Sequence, residues 1–253
     1  MTAWEKGVTM DYEALLKLLE NRRSIRRFKP DPVPDEYVEK IIDAARWAPS
    51  GFNQQPWEFV VVRQPELRAQ IAGFCREMFS LNVQMEAGRE PARGKDAGRL
   101  PQEGPGDFTT APVYILLFGD TRTNEGLPTG VKYDPHGLQM TFEGSLTGAF
   151  LYMHLAATAL GLASQWVSSV HTPYVHFRVK KLLGIPEPLV VYDMMALGYP
   201  ALEPRPKLLR DREKMVHYDA SGPEDFRTDA EVRDFISKSR AWNIATESRK
   251  PEK

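Results

Sequence analysis

The feature that most constrains this chain is an eighteen-residue run without a formal charge, Leu146–Ala163 (LTGAFLYMHLAATALGLA). A membrane-spanning helix needs about 20 predominantly apolar residues, so the run sits at the lower limit for crossing a bilayer. Thr147, His154, Thr158 and its glycines interrupt the apolar character, and no charged residues anchor its ends. A helix that is apolar on every side is also what the centre of a large core or a subunit interface requires. The run therefore reads as a buried helix of a water-soluble protein, with no membrane partner, and the rest of the chain must cover it.

The chain has the material to do so. Its 253 residues are enough for a sizeable core, and 42% hydrophobic with 26% charged residues is ordinary for a globular protein. A formal net charge of −1 leaves no basic excess for neutralising nucleic-acid phosphates, so nucleic acid is not an expected partner. The single cysteine, Cys75, allows no intramolecular disulfide, fits a reducing cytoplasm, and reads as a packing residue. The opening MTAWEKGVTM lacks the basic-then-apolar pattern of a secretory signal, so a cytoplasmic location is expected.

In chain order, 11–20 (DYEALLKLLE) places Leu15, Leu16, Leu18 and Leu19 on one face of a short amphipathic helix. A second helix starts at Pro34-Asp35 with Asp35 as N-cap, repeats Val38, Ile41, Ile42 and Ala45, and stops before Pro49. Glu58–Val62 reads as a strand, Pro65 to about Met85 as a helix, and Val113–Phe118 as a buried strand. Residues 86–108, rich in glycine, proline and charge, read as a long loop or flap. Residues 119–142, with Pro128 and Pro135, read as a second irregular region. Beyond the apolar run, a strand is expected over Ser164–Val170, a helix over Tyr174–Leu183 and a strand over Leu189–Leu197. An irregular tail over 203–219 and a helix over Asp229–Arg240 follow. The organisation implied is one α/β (α+β) domain spanning 1–253, with loop insertions at about 86–108 and 119–142 and a C-terminal extension from about 203.

Two stretches within Asn21–Trp57 carry chemistry. The first is NRRSIRRF, with Arg22, Arg23, Ser24, Arg26 and Arg27. It can be a solvated basic patch at a helix C-terminus, where cations offset the dipole. It can equally be a phosphate clamp, since guanidinium forks make bidentate, charge-assisted bonds to phosphate oxygens. The second is the turn Pro49-Ser50-Gly51-Phe52-Asn53-Gln54-Gln55, whose amides can match either a donor or an acceptor along the edge of a heterocycle such as a flavin. A plain polar connection is the alternative. Asp134 and His136 supply too few ligands for a metal, and His171 and His176 have no carboxylate at helical spacing, so no metal is expected. Hydrolase, P-loop and Rossmann glycine motifs are absent from the sequence.

The pairing of NRRSIRRF with ARWAPSGFNQQPW resembles the nitroreductase family of flavoproteins. GLASQWVSS and LLGIPEPLVVYDMMALGYPALEPRPK resemble its later segments. The resemblance implies a central, mostly antiparallel sheet flanked by helices, in an intertwined homodimer with FMN at the interface. It places the ribityl phosphate on Arg22, Arg23, Ser24 and Arg26, and the flavin, from the partner subunit, on Pro49, Ser50, Gly51, Asn53 and Gln55. Val167, Ser168 and Ser169 would lie beside the ring, and Lys207 or Arg210, less so Arg205, would complete the phosphate site. The family's usual Asp-Ala-Ser start and Gln-Asn pair are replaced here by Ser145-Leu146-Thr147 and Leu151-Tyr152, which leaves the subgroup open. The implied activity is reduction of an electron-poor small molecule, a nitroaromatic or quinone, by NADH or NADPH through FMN. Reductive dehalogenation, flavin fragmentation and flavin binding without turnover are the alternatives. No residue stands out in the sequence as a general acid.

Overall fold

The strand expected over Val113–Phe118 is the centre of the fold. The computed structural model describes residues 11–87, 108–203 and 207–247, in two compact units, Met1–Glu203 and Pro204–Lys253. The first unit runs α1 (Tyr12–Asn21), α2 (Asp35–Arg46), β1 (Trp57–Val62), α3 (Pro65–Ala87), β2 (Val113–Asp120), α4 (Thr129–Lys132), α5 (Pro135–Ala159), β3 (Ala163–Val167), α6 (Pro173–Leu183) and β4 (Leu189–Gly198). The four strands form one antiparallel sheet in the order β1-β2-β4-β3.

The sheet is covered on both faces, which is why β2 is a continuous apolar run with no polar alternation. Tyr114, Leu116 and Phe118 point into a core with Ile71, Ala72 and Cys75 of α3 and Val175 and Val179 of α6. Val113, Ile115 and Leu117 point the other way, onto Val38, Ile41 and Ala45 of α2 and Leu146, Ala149, Phe150, Met153 and Ala157 of α5. This is the nitroreductase-type arrangement that the motifs implied: a wholly antiparallel sheet between helical layers. Cys75 is fully buried and packs as expected, and burial raises its thiol pKa. The α6 helix ends on Gly184, whose left-handed φ of 66° lets its N–H cap Lys180.

Several expectations need correction. Residues 119–142 are not irregular: β2 continues to Asp120, a 3₁₀ turn covers Thr121–Gly126, and α4 and the first turns of α5 follow. The prolines misled the reading because Pro135 opens α5 at a position whose N–H needs no partner, while the Asp134 carboxylate accepts from His136 and Gly137 N–H groups at 3.2 and 3.1 Å. The apolar run is not one helix either. Its helix ends at Ala159, Gly161 turns the chain with φ 72°, and Ala163 already belongs to β3. It is covered on one side only, with Leu151 and Tyr152 exposed. The strand expected to reach Val170 stops at Val167, and Ser168–His171 winds into a 3₁₀ turn. Pro34, not Asp35, occupies the N-cap of α2, and the Asp35 carboxylate pairs with Arg63 at 2.7 Å. Of the expected loop 86–108, residues 88–107 lie outside the described residues, while Glu86 and Ala87 end α3 and Phe108 is buried. No helix among the described residues is long and apolar enough to cross a membrane.

The second unit contains α7 (Asp229–Glu247), opened by a reciprocal cap in which Thr228 N–H donates to the Glu231 carboxylate and Glu231 N–H to the Thr228 hydroxyl.

One polar side chain stands out on the α5 side of the sheet. His154 of α5 is 2% exposed, its Nδ1 2.7 Å from the Ser164 hydroxyl and its Nε2 buried without a partner. Burial first, and the charge of Arg22 second, push its pKa down to about 3.

Two outcomes test this account. Asp134→Ala should lower the unfolding free energy by about 1 kcal/mol and Asp134→Ser by much less, read by urea denaturation; equal effects would remove the capping role. Between about pH 6.5 and 3 the unfolded chain binds a proton at His154 that the folded chain refuses, so stability falls as pH falls, by about 1.4 kcal/mol per unit. His154→Gln should flatten the acid limb by about that slope; an unchanged limb would clear His154 of the effect.

Candidate functional site

The arginine stretch is held by main-chain bonds to the sheet. After α1, Ser24 forms a parallel bridge with Ser164 of β3, and Ile25 N–H donates to Ser164 C=O at 3.0 Å. Phe28 then pairs with Pro200 just past β4, buries its ring, and takes the Thr110 hydroxyl as acceptor for its N–H. Ile25 and Phe28 pack into the core shared with α3 and α6, while Ser24, Arg26 and Arg27 stay exposed. Arg22 and Arg23 are half-buried, and Ser24 and Arg26 are exposed. Burial, and then the neighbouring Arg22 charge, lower the pKa of Arg23. None of Arg22, Arg23 and Arg26 has an acidic partner among the described residues. Like charges held together without a counter-charge are costly, and an anion relieves that cost.

The turn after α2 is equally constrained. Phe52, Asn53 and Gln55 all take left-handed φ, at 52°, 56° and 46°. Non-glycine residues hold that region only when the surroundings over-determine it. Here Gly51 N–H donates to the Ser145 hydroxyl at 3.0 Å, which in turn donates to Thr141 C=O at 2.7 Å. Gln55 N–H donates to the Ser50 hydroxyl at 3.0 Å, and Gln54 reaches Gly126 C=O at 3.3 Å. A Cβ on Gly51 would come within 2.1 Å of the Thr141 methyl, so only glycine lets the turn lie this close to α5. Pro49 sits over Gly148, and Asn53 and Gln55 bond each other with their remaining edges exposed.

Both clusters are therefore placed by α5, but on different sides of it. Ser145 carries the turn, while His154 and its partner Ser164 mark the arginine end. Nine residues of helix separate them by about 13 Å along the axis and by half a turn around it. Within one chain the two predicted halves of the site are not brought together.

Val167 is buried at the end of β3, with Ser168 exposed and the Ser169 hydroxyl buried without a well-formed hydrogen bond. Lys207 and Arg210 belong to the second unit, where Arg210 donates to Lys214 C=O at 3.3 Å. Arg205 lies outside the described residues. Asp134, weighed above as a metal ligand, spends its carboxylate on the start of α5.

Sequence reading missed one constellation. The buried Asp193 carboxylate of β4 accepts from the Trp166 indole N–H and sits 2.9 Å from His171 Nδ1. Burial raises the Asp193 pKa, against the hydrogen bonds from Trp166, His171 and Ser168. The residues lie on three elements, so no spacing rule joins them; a lone acid inside the apolar run Leu189–Leu197 is the only linear signal.

Comparison with known proteins agrees with this geometry. The model of the Nitroreductase family matches residues 19–199. The 5,6-dimethylbenzimidazole synthase of Rhodospirillum rubrum is 32% identical over 200 residues, covering 78% of this chain and 88% of its own. An NADH dehydrogenase of Thermus thermophilus is 29% identical over 230 residues, covering 81% and 98%. Among solved structures, oxidized iodotyrosine deiodinase bound to FMN and 3-iodo-L-tyrosine superposes with a TM-score of 0.61 at 27% identity, covering 82% of this chain and 100% of that one. The matched region runs from the end of α1 through the last strand and contains the arginine stretch, the strained turn and the sheet. This chain belongs to the nitroreductase family.

Proposed function

We propose that the protein is an FMN-dependent oxidoreductase that uses NADH or NADPH to reduce an electron-poor small molecule such as a quinone or nitroaromatic. The observation that carries this reading is the uncompensated pair Arg22 and Arg23, with Arg26 beside them, pinned to β3 by the Ile25 N–H bond to Ser164. A phosphate of charge about −2 fits there, because it supplies the counter-charge those side chains lack and accepts from several donors at once. Arg22, Arg23, Ser24 and Arg26 would hold the FMN phosphate. Ser50, Gly51, Asn53 and Gln55, on a turn with exposed amides, would read the ring edge, and Pro49 would pack beside it. Val167, Ser168 and Ser169 would lie along the ring. Bound FMN supplies a two-electron store that accepts hydride from the nicotinamide and passes it on. The chain's own part is to bind, orient and exclude water.

The two clusters on opposite sides of α5 favour a homodimer, in which the turn of one copy completes the site opened by the arginines of another. Exposed Trp47, Phe52, Leu151 and Tyr152 are surfaces such a partner would cover. Similarity to dimethylbenzimidazole synthase and iodotyrosine deiodinase supports a second reading, in which the same flavin is fragmented or dehalogenates an aromatic substrate. Screening reduced protein against quinones, nitroaromatics and halophenols separates these by which acceptor reoxidises it.

Purified protein should be a yellow dimer that NADH or NADPH bleaches without oxygen. Yellow protein that neither nucleotide bleaches would end the reductase reading, and colourless protein that takes up no FMN would end the flavin reading. Arg22→Ala combined with Arg26→Ala should raise the FMN dissociation constant by roughly 100-fold or more, since charge-assisted bonds are worth about 1.5–3 kcal/mol each. Fluorescence titration measures it, and an unchanged constant would reduce the cluster to a surface patch.

A further inference from the structure

Strand β4 carries an irregularity with a chemical consequence. Against β2, Asp193 pairs with Leu117 and Val191 with Phe118, so Tyr192 has no partner across the ladder. This bulge breaks the alternation of side chains, as bulges do near functional sites. Tyr192 and Asp193 both turn toward the α5 face. Tyr192 meets the Thr147 hydroxyl at 2.7 Å and the Phe150 ring edge-on, and Asp193 meets Trp166 and His171. The Asp193 side chain is 6% exposed and the His171 side chain 51%. Trp166 is itself fixed between rings, stacked on His154 and edge-on to Phe150.

A carboxylate inside a sheet, beside Met194, Met195, Ala196 and Leu197, weakens the fold unless it is fully satisfied. Packing gives no reason for it. What it does is orient an imidazole: Asp193 fixes His171 through Nδ1 and leaves Nε2 on the half-exposed side, free to exchange a proton with water or a ligand. His171 also closes the Ser168–His171 turn, whose first residues belong to the proposed ring contact.

We infer that His171, held by Asp193 as a positioning residue, donates the proton that an oxygen-bearing acceptor takes up when the flavin reduces it; this rests on the function proposed above. For a quinone the step balances as follows. One carbonyl oxygen would take two electrons and a proton from bound, reduced FMN, and the other would form its O–H bond as the N–H bond of the His171 imidazolium breaks. Neutral His171 then regains its proton from solvent through its exposed side. Among the described residues, the charged or titratable groups facing this centre are Asp193 and Tyr192 on β4, His176 on α6, whose pKa is lowered by burial and then by the charges of Lys180 and His171 against that of Glu187, and Cys75 of α3 beneath Ser169.

The test uses the FMN-loaded full chain, reduced by NADH or NADPH and mixed with one of two acceptors. Benzoquinone takes up electrons and protons, and ferricyanide takes up electrons alone. In His171→Gln the ratio of the benzoquinone rate to the ferricyanide rate should fall on the order of 100-fold, and His171→Asn should do the same. In the wild type that ratio should follow, with pH, the titration of His171 seen by nitrogen-15 NMR on the flavin-free protein. Asp193→Asn should change the tautomer signal of His171 in nitrogen-15 NMR and lower the ratio together. A ratio that is unchanged in both His171 variants, or that ignores the NMR titration, overturns the inference alone. A wild-type protein that binds no FMN, or whose FMN neither nucleotide reduces, overturns the proposed function and this inference with it.

Discussion

The contact on which the rest of the structure depends is that of α5 with the sheet. Leu146, Ala149, Phe150, Met153 and Ala157 line the face that covers β2 and β4, and burying Leu146, Phe150 and Met153 contributes roughly 1.5–3 kcal/mol apiece. Once that face is fixed, the helix has two flanks whose positions are no longer free. One flank receives the turn after α2 through Ser145, Thr141 and Gly148. The other receives β3 and, through Ser164, the arginine stretch. A single helix thus sets the separation between the two chemically distinctive parts of the chain. Because they end half a helical turn apart, α5 is better described as a spacer between sites than as the wall of one.

Much of this was legible in the sequence where apolar periodicity had one interpretation. The β2 strand and the helices α2, α3 and α6 were readable because Val113–Phe118 is apolar at every position and the others repeat at helical spacing. The region 119–142 was not, because proline marks both a break and a beginning. Pro135 follows Asp134, a good N-cap, and that pair together signals a start; proline alone does not. The end of the apolar run was misplaced for a related reason. Composition cannot separate helix from strand across Leu160–Ala163, and only Gly161 with its positive φ marks the corner.

The candidate site was legible as residue types and illegible as geometry. Four arginines around a serine announce an anion, yet nothing linear says that Ser24 and Ile25 join the edge of β3. The turn Pro49–Gln55 reads as polar, but the left-handed backbone at Phe52, Asn53 and Gln55 is imposed by α5 and runs against local preference. Asp193 is the clearest case. Its meaning depends on a bulge opposite Leu117, and a register shift leaves no trace in a single sequence.

The buried polar groups then divide by what burial does to each. His154 is kept neutral: surrounded by Phe150, Trp166 and Ser164, with Arg22 nearby, it is the one imidazole pushed far below its ordinary range. A charged imidazole there would add to the positive field that already crowds Arg22 and Arg23, so its neutrality belongs to the same arrangement that keeps those arginines open to an anion. Asp193 is pushed the other way by burial, and the donors converging on it oppose that push. Around the shared Trp166 ring, on the α5 face of the sheet, charge is excluded at His154 while donors gather around the Asp193 carboxylate. Exchanging the two groups would leave a carboxylate without its donors in the core.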